Sequence, residues 1–113
     1  MQTVEIRREG WPQALAQFSA AHDGSLVSVD VLGPELGAQP QIHDLPLVGV
    51  VAEPQHGGNV TIAVSGSGID QMTHLVQAPA RIWIERTDTG ADVALQIEAA
   101  EGTKTIVRLT SPL

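Results

Sequence analysis

"RIWIERTDTGADVALQIEAAEGTKTIVRLT", residues 81–110, decides the fold class. Three stretches in it alternate aliphatic and polar residues, and DTG (88–90) and AEG (100–102) separate them. Alternation at period two sorts side chains onto opposite faces of a strand. Short Gly-containing breaks between such stretches are hairpin turns. RIWIERT (81–87), DVALQIEA (92–99) and TKTIVRLT (103–110) therefore read as an antiparallel meander. Ala80, Ile82, Ile84, Val93, Leu95, Ile97, Thr105, Val107 and Leu109 fall on its inner face. Trp83 is left outside between Arg81 and Glu85, and Ile106 outside between Lys104 and Arg108.

Upstream, the same alternation appears in SLVSVDVL (25–32) and NVTIAVS (59–65), with a further short strand at THLVQA (73–78). LVGVVA (47–52) is apolar on both sides, the pattern of a strand covered on both faces. Gly49 within it marks a place where a neighbour comes close. Turn signals recur about every ten residues, which favours hairpins over helix-linked parallel strands. In EGWPQALAQFSAAHDG, Trp11, Leu15, Phe18 and His22 recur at helical spacing. Pro12 suits a first turn and Gly24 a stop, so a helix is expected at 11–22. MQTVEIRR (1–8) reads as a short strand or extended arm. The expected fold is α+β. One N-terminal helix packs on a curved antiparallel sheet, or partly closed barrel, of six to seven strands, as a single domain over 1–113.

GPELGAQPQIHD (33–44), rich in Gly and Pro, reads as a long connection. Loops of that length are uncommon in compact domains and often carry function. Loop 33–46 is therefore a candidate lid over a pocket, with His43 and Asp44 where it joins the next strand.

The formal net charge is −7, from six basic and thirteen acidic residues. This opposes binding to nucleic acid or to anionic membranes, both of which use clustered Lys and Arg. There is no Cys, which excludes disulfides, zinc–thiolate sites and cysteine nucleophiles. MQTVEIRREGW lacks an apolar leader core, and no run approaches the ~20 apolar residues of a membrane span. The chain reads as cytoplasmic.

The motifs of common chemistries are missing. His22, His43, His56 and His74 have no spacing that puts two ligands on one element, so no metal or cofactor is expected. SGSGIDQ (65–71) begins like a dinucleotide fingerprint, but Gln71 takes the third glycine position and a strand follows instead of a helix. Ser67 has no nucleophile-elbow glycine before it. Glu85, Asp88 and Asp92 gather at a hairpin tip, where Asp is expected for turn reasons.

The pattern of Trp11, Phe18, His22 and Gly24, joined to VLGPELGAQ (31–39), LPLVGV (45–50), APARIWIERTDTG (78–90) and LQIEAAEGTKTIVR (95–108), resembles a family of short bacterial proteins, the domain of unknown function DUF5335. The resemblance spans nearly the whole chain. It implies a single-domain bacterial protein and supplies no catalytic residues.

Three functions are expected, in descending order. The first is a non-catalytic interaction module that pairs with itself or another protein, through Arg81, Trp83, Ile106 and Arg108 or through a strand edge. The second is a small-ligand binder beside loop 33–46, with His22, Asp30, His43, Asp44 and His74 as polar contacts. The third is a hydrolase-like enzyme with His22 or His74 as base.

Overall fold

A computed structural model describes residues 1–34, 37–53, 58–66 and 71–110. Residues 54–57 with His56, residues 67–70 with Ser67, and positions 35–36 of the expected loop lie outside the described residues. The chain forms β1 (Gln2–Ile6), a single 3-10 turn (Arg8–Gly10), α1 (Trp11–Ala21), β2 (Leu26–Gly33), β3 (Gly37–Ala52), β4 (Val60–Ser65), β5 (Gln71–Val76), β6 (Pro79–Arg86), β7 (Asp92–Ala99) and β8 (Lys104–Leu109). The strands are hydrogen-bonded in the order β1-β6-β7-β8-β2-β3-β4-β5, and every pairing is antiparallel. The expected meander is β6–β7–β8. No helix among the described residues is long and apolar enough to cross a membrane.

Two expectations about β3 fail together. Residues 37–44 are strand rather than loop, and they continue into 47–52 as one sixteen-residue element. Its first part pairs with β2, from Gly33↔Gly37 to Leu26↔Pro46, and its last part pairs with β4, from Leu47↔Val64 to Ala52↔Val60. Pro40 misled the sequence reading because proline breaks a ladder. It sits opposite Asp30 where β3 has a neighbour only on the β2 side, so the missing N–H leaves no described partner unbonded. The second failure is burial. LVGVVA is covered on one face only: Leu47 and Val50 are in the core, while Val48 and Val51 face solvent.

Between its two halves β3 turns a corner. Asp44 adopts φ 49°, a left-handed conformation that Asp tolerates better than most residues. Its N–H donates to the Ser28 hydroxyl (3.2 Å), and its carboxylate accepts from the Thr110 hydroxyl (2.5 Å). The corner is reinforced by register shifts in the facing part of β2. A flat eight-stranded sheet would be wide and thin, because strands lie about 4.8 Å apart. The extents are 33 × 32 × 29 Å, so the sheet rolls on itself. It does not close. The described residues form eight strands rather than six or seven, and among them β1 and β5 remain as edges.

α1 occupies the concave side. Trp11, Leu15 and Phe18 of the expected stripe are buried in one core with Leu47, Val50, Ile62, Ile82, Leu95 and Ile97, whereas its fourth member, His22, is only half-buried. The helix has no side-chain N-cap, no acid in its first turn and no base in its last. Contacts with the strands therefore hold it. The Trp11 indole donates to the Ile6 carbonyl (2.9 Å). Arg8 lies 4.4 Å from the Trp11 ring centre and donates to the Pro79 carbonyl (3.0 Å). At Gly49 the helix comes close enough for Ser19 to bond directly to β3. The Ser19 hydroxyl accepts from Val50 N–H (2.8 Å), and its one proton reaches either the Leu15 carbonyl (2.7 Å) or the Val50 carbonyl (3.1 Å). A Cβ at position 49 would stand 3.6 Å from that oxygen.

Ser19→Ala removes the acceptor of a part-buried N–H and should cost about 1–3 kcal/mol. Urea denaturation measures this, and an unchanged midpoint would show that Ser19 does not tie α1 to β3.

Candidate functional site

The expected polar contacts fall in separate places. His22 caps α1, with its ring centre 4.7 Å from that of Phe18. Its Nε2 meets Asp92 Oδ2 at 2.8 Å, and Arg86 Nε donates to Asp92 Oδ1 at 2.9 Å. The helix end is thus bonded to the β6–β7 hairpin. Asp92 read as one of several solvated turn acids, yet its side chain is only 19% exposed. Burial alone would push its carboxyl up. The hydrogen bonds and charges of His22 and Arg86 outweigh burial and hold it below the usual carboxylate range. No spacing rule links positions 22 and 92, which only the rolled sheet brings together.

Asp30 lies on the convex face of β2 and accepts from Arg108 Nη1 of β8 at 2.9 Å. His43 and Asp44 sit at the β3 corner with the His43 side chain 85% exposed. An extended chain would point the two apart, but the left-handed Asp44 brings His43 Nε2 to 3.3 Å from its carboxylate. His74, on the concave side of β5, lines a cavity of about 520 Å³. Among the described residues no three His, Asp or Glu side chains could share a metal ion.

Trp83 and Ile106 lie on the convex face, where α1 does not reach. In register they are separated by one residue, along the row Glu5–Trp83–Gln96–Ile106–Asp30. Both are half-buried by charged and polar neighbours. Lys104 Nζ stands 6.0 Å from the Trp83 ring centre, the Gln96 amide donates to Glu85, and Arg108 holds Asp30. Arg81 is exposed at the border of this face. Among the described residues one ion pair, Arg108–Asp30, lies on this face.

A second convex face has a different chemistry. The outward residues of the β3–β4–β5 end form the rows Val51–Thr61–Leu75 and Gly49–Ala63–Thr73. Val48, Val51 and Leu75 are 38%, 57% and 47% exposed. Pro12 and Ala16 of α1 border the same surface across a groove. No Asp, Glu, Lys or Arg occurs in residues 45–52, 59–66 or 71–80, nor in α1. β5 is an edge strand that carries no proline and no formal charge, two common guards against edge pairing.

The family model described as "family of unknown function (DUF5335)" matches residues 2–113. The chain belongs to this family. No curated protein and no solved structure matched it. For this DUF5335 chain the argument about function therefore rests on its own surface. The uncharged face was visible in the sequence as a run of segments without Asp, Glu, Lys or Arg. It was missed because alternation within each strand was considered and charge across strands was not.

Asp92 supplies a test of the cluster that holds α1. A carboxyl depressed by folding stabilises above its unfolded pKa of about 3.9 and loses that contribution as pH falls through the lower folded value. Wild type should exceed Asp92→Asn in stability by about 1–3 kcal/mol at neutral pH. The gap should narrow in acid below pH ~4. Urea midpoints for both proteins across this range measure it, and a gap independent of pH would refute the assignment.

Proposed function

We propose that this protein is a non-catalytic interaction module that pairs with a second copy of itself through the β5 edge and the uncharged face of β3, β4 and β5. The observation that carries the reading is the coincidence of exposed Val51 and Leu75 with an unguarded edge. Antiparallel pairing of β5 with its symmetry mate would satisfy the free backbone groups and extend each sheet into the other. Two copies that each carry −7 repel, and they meet with least cost where neither has a charge. That argument favours a like partner on this face, since a basic partner would be drawn to the acids elsewhere. The Trp83/Ile106 face is the second candidate, but its Arg108–Asp30 ion pair and Gln96–Glu85 bond already occupy some of the polar groups that would form a rim.

Light scattering coupled to size exclusion tests the reading. Wild type should run at twice the chain mass. Leu75→Lys, which puts a charge at the centre of the joint, should weaken association at least tenfold, about 1.4 kcal/mol. Trp83→Ala should leave it unchanged. Added salt should not dissociate the pair, because screening relieves the repulsion between copies. A strictly monomeric wild type at high concentration sinks the proposal, and a monomeric Trp83→Ala beside a dimeric Leu75→Lys would move the interface to the other face.

A further inference from the structure

Beside β5, bordered by His74, Leu75 and Val76, lies the cavity of about 520 Å³, within the range typical of small-molecule sites. Its aliphatic wall includes Val31 of β2, Val76 of β5 and Ala99 of β7. Thr105 of β8 contributes a polar residue that is itself buried. His74 stands in this wall half-buried, and among the described residues no hydrogen bond engages its ring. Burial pushes its pKa down, so the imidazole is neutral at neutral pH. A neutral imidazole offers one N–H donor and one acceptor.

The mouth is built rather than loose. Ala78, which lines it, holds φ 49°, a conformation rare for a residue with a Cβ. It is kept there by Ala100 N–H, which donates to its carbonyl at 2.8 Å, and by the Asn59 side chain, which accepts from its N–H at 3.4 Å. Strain of this kind persists only where the surroundings over-determine it, and it gathers at ligand sites. The charge balance limits the guest. Glu101 is the one formal charge among the lining residues, it is exposed, and one of its oxygens already accepts from the Thr103 hydroxyl at 2.7 Å. An anion would meet that carboxylate with no lining Lys or Arg to offset it. A cation would gain little from a solvent-screened group already engaged.

We propose that the cavity binds a small uncharged organic molecule with an aliphatic body and a single hydrogen-bonding head, such as an alcohol or primary amide. The head meets His74 and the body lies against Val31, Val76 and Ala99. Leu75, placed at the joint of the self-pairing above, also borders this cavity, whereas Val51 of the same joint does not.

A chain-length-matched series tests this. 1-Hexanol, hexanamide, hexylamine and hexanoate are titrated at neutral pH into ¹⁵N-labelled protein while the His74 ring resonances are followed. 1-Hexanol and hexanamide should shift them saturably, with hexylamine and hexanoate at least about tenfold weaker, a difference near 1.4 kcal/mol. Val31→Trp, which fills the cavity, should abolish binding of 1-hexanol, as read by ligand-observed NMR. If that variant does not fold, His74→Phe serves instead and should erase the preference of hexanamide over hexanoate. Val51→Lys, at the proposed joint but outside the cavity lining, should bind 1-hexanol as wild type does, whatever its oligomeric state. No saturable shift with any probe overturns the proposal. So does hexanoate or hexylamine binding as tightly as 1-hexanol, or wild-type behaviour in the folded cavity variant.

Discussion

The architecture depends on a single strand that serves two sets of neighbours. β3 is sixteen residues long and cannot stay straight while its first part pairs with β2 and its last part with β4. The bend falls at Asp44, where the left-handed backbone and its bonds to Ser28 and Thr110 set the angle. Because of that angle the sheet has a concave side, which α1 fills. The contact at Gly49 and Ser19 then secures the helix to the same strand that made room for it. The core, the His22–Asp92 bond and the cavity beside β5 all follow from this one corner.

Much of the fold was legible because local rules governed it. The β6–β7–β8 meander follows from alternation and turn chemistry, and α1 from a stripe of three large side chains with Pro12 and Gly24 at its ends. The errors lay where a residue's meaning depends on its neighbours in space. Pro40 breaks a strand only if its N–H side needs a partner, and the sequence does not say that this side of β3 is vacant. Val48 and Val51 look like core because they are apolar, although the face they occupy is uncovered. The pairing of His22 with Asp92 was out of reach for the same reason, since nothing local couples a helix end to a hairpin seventy residues away.

Charge is distributed as unevenly as shape. The β1–β6–β7–β8–β2 face carries ionisable residues of both signs in mutual contact, whereas the β3–β4–β5 face and the outer side of α1 carry none. In a chain with thirteen acids this separation concentrates repulsion on one side and leaves the other free to approach a neighbour. β5 belongs wholly to the uncharged side, an edge strand paired with β4 alone among the described strands and bordered by a cavity.

The composition of α1 also bears on how the chain reaches its fold. A helix of eleven residues with no side-chain N-cap and no charge in its end turns has little stability alone, so it cannot act as an early nucleus. The pairings β1–β6 and β2–β8 join segments more than seventy residues apart and carry a large loop-closure cost. The meander β6–β7–β8 is the largest element built from short-range contacts, and it is the natural place for folding to begin. The helix is then a latecomer that seals a roll already turned at Asp44. Damage to the seal should speed unfolding more than it slows folding.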